Sequence, residues 1–287
     1  MGDKLNLQRQ SFLGADSEIV LGRSKAALVG LGGGGSHIAQ QLAHIGLGSF
    51  MTIDPDFIED TNLNRLVGAT MEDVKLGTAK VDIAERVIKA VNPAAEVIKR
   101  RANWTEATAE LRDVDVIFAC VDSFRCRSEL EAFARRFLIP LIDIGMDVHK
   151  SSGEFSISGQ VMLSMPGKPC MRCMGLVTDE GLAKEAAGYG AAGGKPQVVW
   201  PNGTLASIAV GFFMKLVTPW ETLKGTSLLL EYDGDLQSVA PSNKLAYLPA
   251  LCKHFDSLDE LARVYQPRGA DAAPSRSGRG LLKIQAV

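Results

Sequence analysis

Gly30-Leu31-Gly32-Gly33-Gly34-Gly35-Ser36 is the stretch that most constrains this chain. It follows a short apolar run, Ala26-Ala27-Leu28-Val29, and precedes Ile38-Ala39-Gln40-Gln41-Leu42-Ala43, which has helical spacing. A strand, a glycine turn and a helix form a cradle for phosphate. Glycine lets the backbone approach a ligand closely, and the first turn of a helix offers unpaired N–H groups at a positive dipole end. The spacing fits G-x-G-x-x-G, which alone is a weak signal. Gly30, Gly32, Gly33, Gly35 and Ser36 are its candidate nucleotide contacts.

The pattern beyond it gives the fold class. Strands are predicted at 26–31, 50–53, 96–99, 114–120 and 139–144. Helices are predicted at 3–24, 36–45, 72–91 and 124–137. Such alternation indicates an α/β protein with a doubly wound, mostly parallel sheet, in which ligands sit at the carboxyl ends of the strands. Gly30, Asp54 and Asp122 fall at such ends. After residue 150 the pattern turns to antiparallel strands around 154–163. A Gly/Ala/Lys-rich segment at 178–200 reads as a mobile connection, and a helix at 202–217 has Asn202 as its cap. The expected division is a nucleotide-binding half over 1–150, a second half over 151–266, and a disordered tail over 267–287, where Pro, Gly, Ser and Arg dominate.

Composition narrows the function classes. A net charge of −2 provides no global basic field for nucleic acid. No apolar run is long enough to span a membrane, and the N-terminus lacks the pattern of a secretory signal. A cytoplasmic location is expected, and Cys170-Met171-Arg172-Cys173 then suggests metal or redox chemistry rather than a structural disulfide.

Asp54-Pro55-Asp56 closes the second strand, with Asp54 lying 24 residues after Gly30. A carboxylate at that place accepts hydrogen bonds from a ribose, and Asp56 is a second candidate contact. Asn62-Leu63-Asn64-Arg65 and Lys80 add cations that hydride transfer does not need. Nucleotidyl transfer does need them, because charge develops on the phosphates. Asp122 beside phosphate oxygens calls for an intervening cation, which points to Mg²⁺. Against these stand plainer roles: a turn aspartate, solvated surface charges and a helix cap.

In this order the motifs resemble the adenylation domain of ubiquitin-activating enzymes, and are similar to the thiamine- and molybdopterin-pathway adenylyltransferases of bacteria. The likeness runs from about Leu7 to Ala209. It implies that the glycine loop lies along the phosphates of ATP and that Asp54 binds the ribose. Asn62, Arg65 and Lys80 would contact phosphates, and Asp122 would bind Mg²⁺. Arg9-Gln10 resembles a pair whose arginine reaches into a partner's ATP site, which implies a homodimer. The implied reaction is attack of a carboxylate on the α-phosphorus of ATP, giving an acyl-adenylate and pyrophosphate. The carboxylate would be the C-terminal glycine of a small ubiquitin-like protein. Cys170 and Cys173 match the first zinc pair of this family. Cys252 would be a third ligand, and Phe255 replaces the usual fourth cysteine; His254 is a candidate of unfamiliar spacing. Residues 174–200 contain no cysteine to take the acyl group as a thioester, so a downstream partner protein is the expected acceptor. The alternatives are adenylation of a peptide, a small-molecule carboxylate or a modified tRNA base, a nicotinamide-dependent dehydrogenase, and a catalytically silent scaffold.

Overall fold

The computed structural model describes residues 5–151, 153–188, 196–220, 228–249 and 252–255. The element order is α1 (Ser17–Arg23), β1 (Lys25–Val29), α2 (Gly33–His44), β2 (Ser49–Ile53), α3 (Met71–Leu76), α4 (Lys80–Val91) and β3 (Glu96–Arg100). It continues with α5 (Thr108–Leu111), β4 (Val116–Ala119), α6 (Phe124–Arg136), β5 (Leu141–Ser151), β6 (Glu154–Ser164), α7 (Asp179–Ala186), α8 (Val199–Val217), β7 (Leu229–Asp233) and β8 (Ser238–Pro241).

The strands form one eight-stranded sheet in the order β3-β2-β1-β4-β5-β6-β7-β8. The first five are parallel, and β6 to β8 are added antiparallel. Order reverses at β1, which pairs with β2 on one side and β4 on the other. A crevice opens at such a reversal, outside the strand ends. Alternation along β1 shows how both faces are covered. Ala26 and Leu28 pack with α2, α4 and α8, through Ile38, Leu42, Ile88 and Phe213. Ala27 and Val29 face the other way, onto Met51, Trp104, Leu130 and Phe133.

Several expected boundaries change. The helix expected at 3–24 is a 3-10 turn, Gln8–Leu13, and then α1, separated at Gly14 with φ near 115°. The helix expected at 72–91 is two, because Gly77 ends α3 in the left-handed region and the chain turns before Lys80. Helix α8 begins at Val199, so Asn202 is not its cap; it lies buried in the first turn, with Nδ2 donating to the Val198 carbonyl at 2.8 Å. Part of the 178–200 connection is helix α7. The tail at 267–287 lies outside the described residues.

Candidate active site

A cavity of about 520 Å³ opens at the β1/β4 reversal. Its walls carry Gly30, Gly32, Gly33, Asp54, Asp56, Asn62, Arg65, Lys80 and Asp122, so most of the expected nucleotide contacts converge on one space.

The glycine turn is held by close contacts. Gly30 has φ near 90°, and a Cβ there would lie 2.3 Å from the Cys120 carbonyl oxygen. A Cβ on Gly35 would lie 1.9 Å from the Gly30 carbonyl oxygen, so Gly35 serves the packing of α2 on the turn and does not line the cavity. Ser36 is likewise turned inward: its hydroxyl donates to the Gly33 carbonyl at 2.9 Å and accepts from Val67 N–H at 3.0 Å. Gly32 is the N-cap of α2 and supplies no capping side chain. The first turn of α2 therefore faces the cavity as a positive dipole end.

Asp54 is buried and fixed by two backbone donors, Leu31 N–H at 2.7 Å and Asp56 N–H at 2.9 Å. Burial pushes its carboxyl above the ordinary aspartate range, against the opposing pull of Lys80. The Lys80 ammonium sits 2.7 Å from Asp56 and 3.9 Å from Asp54. Arg65 donates to the Thr61 carbonyl at 2.6 Å and to Asn64 Oδ1 at 3.0 Å, contacts that aim the guanidinium without neutralising it. Asn62 Oδ1 closes a capping box by accepting Glu59 N–H at 3.2 Å. Asp122 is exposed at the mouth of the cavity, one residue before the N-cap of α6. An exposed carboxylate lining the cavity would suit Mg²⁺, which is held through one or two carboxylates plus phosphate oxygens. Arg9 lies on the Gln8–Leu13 turn and does not line this cavity.

Sequence reasoning missed several cavity residues. Asn103, Trp104 and Cys126 line the end near β2 and β3, and Gln197 and Asn202 line the other. Asn202 packs against the glycine turn so closely that a Cβ on Gly33 would come within 2.6 Å of its Nδ2. Neither Cys120 nor Cys126 is activated, since burial pushes both thiols up.

A second constellation lies apart from the cavity. Cys170, Cys173, Cys252 and His254 place their ligand atoms within 4.8 Å of one another. Cys173 Sγ is 3.6 Å from Cys170 Sγ and 3.7 Å from Cys252 Sγ, and His254 Nδ1 is 3.3, 3.4 and 4.0 Å from Cys170, Cys173 and Cys252. A tetrahedron with Zn–S bonds of about 2.3 Å has edges of about 3.8 Å, so the donor set fits zinc. Phe255 does not take part; its ring lies under the Arg135 guanidinium, 5.1 Å from centroid to carbon. Arg135 also donates to the Lys168 and Pro169 carbonyls, each at 3.0 Å. The buried Glu131 accepts Met171 N–H, so helix α6 holds the Cys170–Cys173 turn in place.

A glycine turn at a helix N-terminus, an anchored carboxylate and nearby cations, all lining one cavity at a topological reversal, mark a nucleotide-binding protein of Rossmann-like class. The chain belongs to the ThiF family, whose model matches residues 5–249. It is 31% identical over 214 residues to the SAMP-activating enzyme E1 of Haloferax volcanii, covering 73% of each chain. It is 28% identical over 163 residues to the molybdopterin-synthase adenylyltransferase of Escherichia coli K12, covering 55% of this chain and 61% of that one. Longer relatives include the adenylyltransferase and sulfurtransferase uba4 of Aspergillus fumigatus, of which the chain spans 33% at 31% identity. The fold is shared with E. coli MccB solved with ATP, at a TM-score of 0.69 and 20% identity over 84% of this chain and 72% of that one. This chain is accordingly an ATP-dependent adenylyltransferase, which sets aside the nicotinamide-dependent alternative.

Proposed function

We propose that the protein activates the C-terminal carboxylate of a small ubiquitin-like protein as an acyl-adenylate, releasing pyrophosphate. The observation that carries this reading is the meeting, in one cavity, of the α2 N-terminus, Asp54, Asn62, Arg65, Lys80 and Asp122. Asp54 would accept from the ribose and anchor the nucleoside at the β2 end. The phosphates would then run along Gly32 and Gly33 toward Arg65 and Lys80. The acyl carboxylate is already ionised at neutral pH and needs no general base. The protein's work is to align it with the α-phosphorus and to offset the charge that grows on the leaving pyrophosphate. Mg²⁺, when held by Asp122 and phosphate oxygens, would add to that neutralisation.

Zinc on Cys170, Cys173, Cys252 and His254 would be structural, with all four positions filled by protein. Arg9 is absent from the cavity of its own chain, consistent with a homodimer in which it reaches the partner's site. A cytoplasmic location accords with the free cysteines; among the described residues no helix is long and apolar enough to cross a membrane. With no cysteine in residues 174–200, the acyl group would pass from the adenylate to a partner's thiol or amine. A second reading, in which the carboxylate belongs to a short peptide, draws on the shared fold with MccB, solved in complex with N-formylated MccA.

ATP–pyrophosphate exchange separates these readings. Exchange that depends on a β-grasp protein ending in Gly-Gly supports the first. Exchange with a free peptide and none with such a protein supports the second.

A further inference from the structure

Two contacts from the chain between β6 and β7 converge on the stretch that carries Asp122. On one side, the Glu185 carboxylate on α7 accepts Phe124 N–H at 3.1 Å and Arg125 N–H at 2.9 Å, at the N-terminus of α6. On the other, Gln197 Nε2 points at both oxygens of Asp122, at 3.4 and 3.5 Å. The Gln197 backbone carbonyl accepts from Asn64 Nδ2 at 2.9 Å, on the opposite wall next to Arg65. Residues 196–198 therefore bridge the cavity mouth from the Asn64 wall to the Asp122 wall.

The two contacts at Asp122 and α6 differ in strength. Glu185 is an anion on short bonds to a helix N-terminus, a favourable place for negative charge. Gln197 is a neutral amide whose single nitrogen is shared between two oxygens at long distance, with Asp122 exposed. Such a bond contributes little net free energy in water. It nevertheless covers the one carboxylate at the mouth that the adenylation reading assigns to the divalent cation.

Resting on that reading, we propose that Gln197 is a positioning residue that holds the Asp122 carboxylate in the nucleotide-free enzyme and yields it when nucleotide and cation bind. Binding thereby frees the 196–198 bridge from the Asp122 wall and opens the mouth toward the acyl carboxylate. Gln197 imposes a small tax on nucleotide affinity, because the competent state is only a fraction of the empty enzyme.

The test is calorimetric titration of the full chain with Mg·α,β-methylene-ATP, in which no acyl transfer can occur. Gln197→Met keeps the length of the side chain without its donor, and Gln197→Ala is the second variant. Both should bind the nucleotide about three-fold more tightly than wild type, the size expected for loss of one weak competing hydrogen bond. The gain should vanish in an Asp122→Ala background, where there is no carboxylate to contest. A glutamine that only braced the fold would do the opposite, since its removal would loosen binding and lower thermal stability. Unchanged or weaker binding in folded Gln197→Met and Gln197→Ala, with wild type binding normally, overturns the latch and leaves the adenylation reading standing. A wild-type protein that binds no Mg·nucleotide overturns both.

Discussion

Lys80 is held between two carboxylates, 2.7 Å from Asp56 and 3.9 Å from Asp54, while Asp54 itself is anchored by two backbone donors, one to each oxygen. Two consequences belong to this scale. Arg65 has local acceptors and, among the described residues, no acidic partner within 4.0 Å, and it lines the cavity; Arg65→Ala should lower ATP–pyrophosphate exchange by about 10²-fold, the usual cost of removing one preorganised donor to developing charge. The second concerns pH. Asp54 is raised above the ordinary aspartate range by burial, so nucleotide affinity should fade on the acid side at a pH higher than an exposed aspartate would give. Lys80 opposes that shift, and Lys80→Met should move the acid midpoint of nucleotide binding further up; a midpoint that moves down contradicts the electrostatics described. For folding the sign follows from linkage. A carboxyl raised in the folded state disfavours the fold when ionised, and that penalty disappears as pH falls through its folded value.

At the scale of elements, the site depends on where helices begin. Gly77, with φ near 60°, ends α3 and turns the chain so that α4 opens at Lys80; Gly77→Ala should cost about 1 kcal/mol in thermal or denaturant unfolding, because only glycine adopts that conformation freely. Beneath the Asp122 end, Arg127 on α6 pairs with the buried Asp143 on β5, donating from Nε at 2.9 Å. Asp143→Ala should destabilise by roughly 3–5 kcal/mol, as a buried guanidinium loses its counter-charge. The strands and their cavity-lining ends are readable in the sequence, because apolar runs that stop before Gly30, Asp54 and Asp122 are local signals. Residues 3–24 and 72–91 read there as single helices, since helical spacing continues across Gly14 and Gly77 while a positive φ leaves little trace in composition. Asn202 looked like a cap for the same reason: an asparagine three residues inside a helix and one at its start are the same letter. Gln197 was beyond local reading, since it reaches Asp122 across 75 positions. His254 is a candidate in the sequence despite its unfamiliar spacing, and the folded chain brings its imidazole to Cys170 across 84 positions while Phe255 is drawn under Arg135.

For the whole molecule, the sheet order places the antiparallel strands β6 to β8 beside a five-stranded parallel sheet that carries the nucleotide end, and helix α8 packs on both parts. If zinc holds Cys252 and His254 to the Cys170–Cys173 turn, purified protein should contain about one zinc per chain. His254→Ala should lose metal and thermal stability, whereas His254→Cys should keep both. If Arg9 completes the partner's site, mixing the inactive variants Arg9→Ala and Asp122→Ala should restore about one quarter of wild-type exchange, since half the dimers are mixed and each mixed dimer holds one intact site. The account as a whole claims that the α2 N-terminus and the surrounding cations present the α-phosphorus of ATP to an incoming carboxylate. A crystal structure with Mg²⁺ and a non-hydrolysable ATP tests that most directly. The account predicts the triphosphate along Gly32 and Gly33, the ribose on Asp54, and the α-phosphorus open toward Asp122 and Gln197. A triphosphate bound elsewhere, or one whose α-phosphorus is closed off from that mouth, would contradict it.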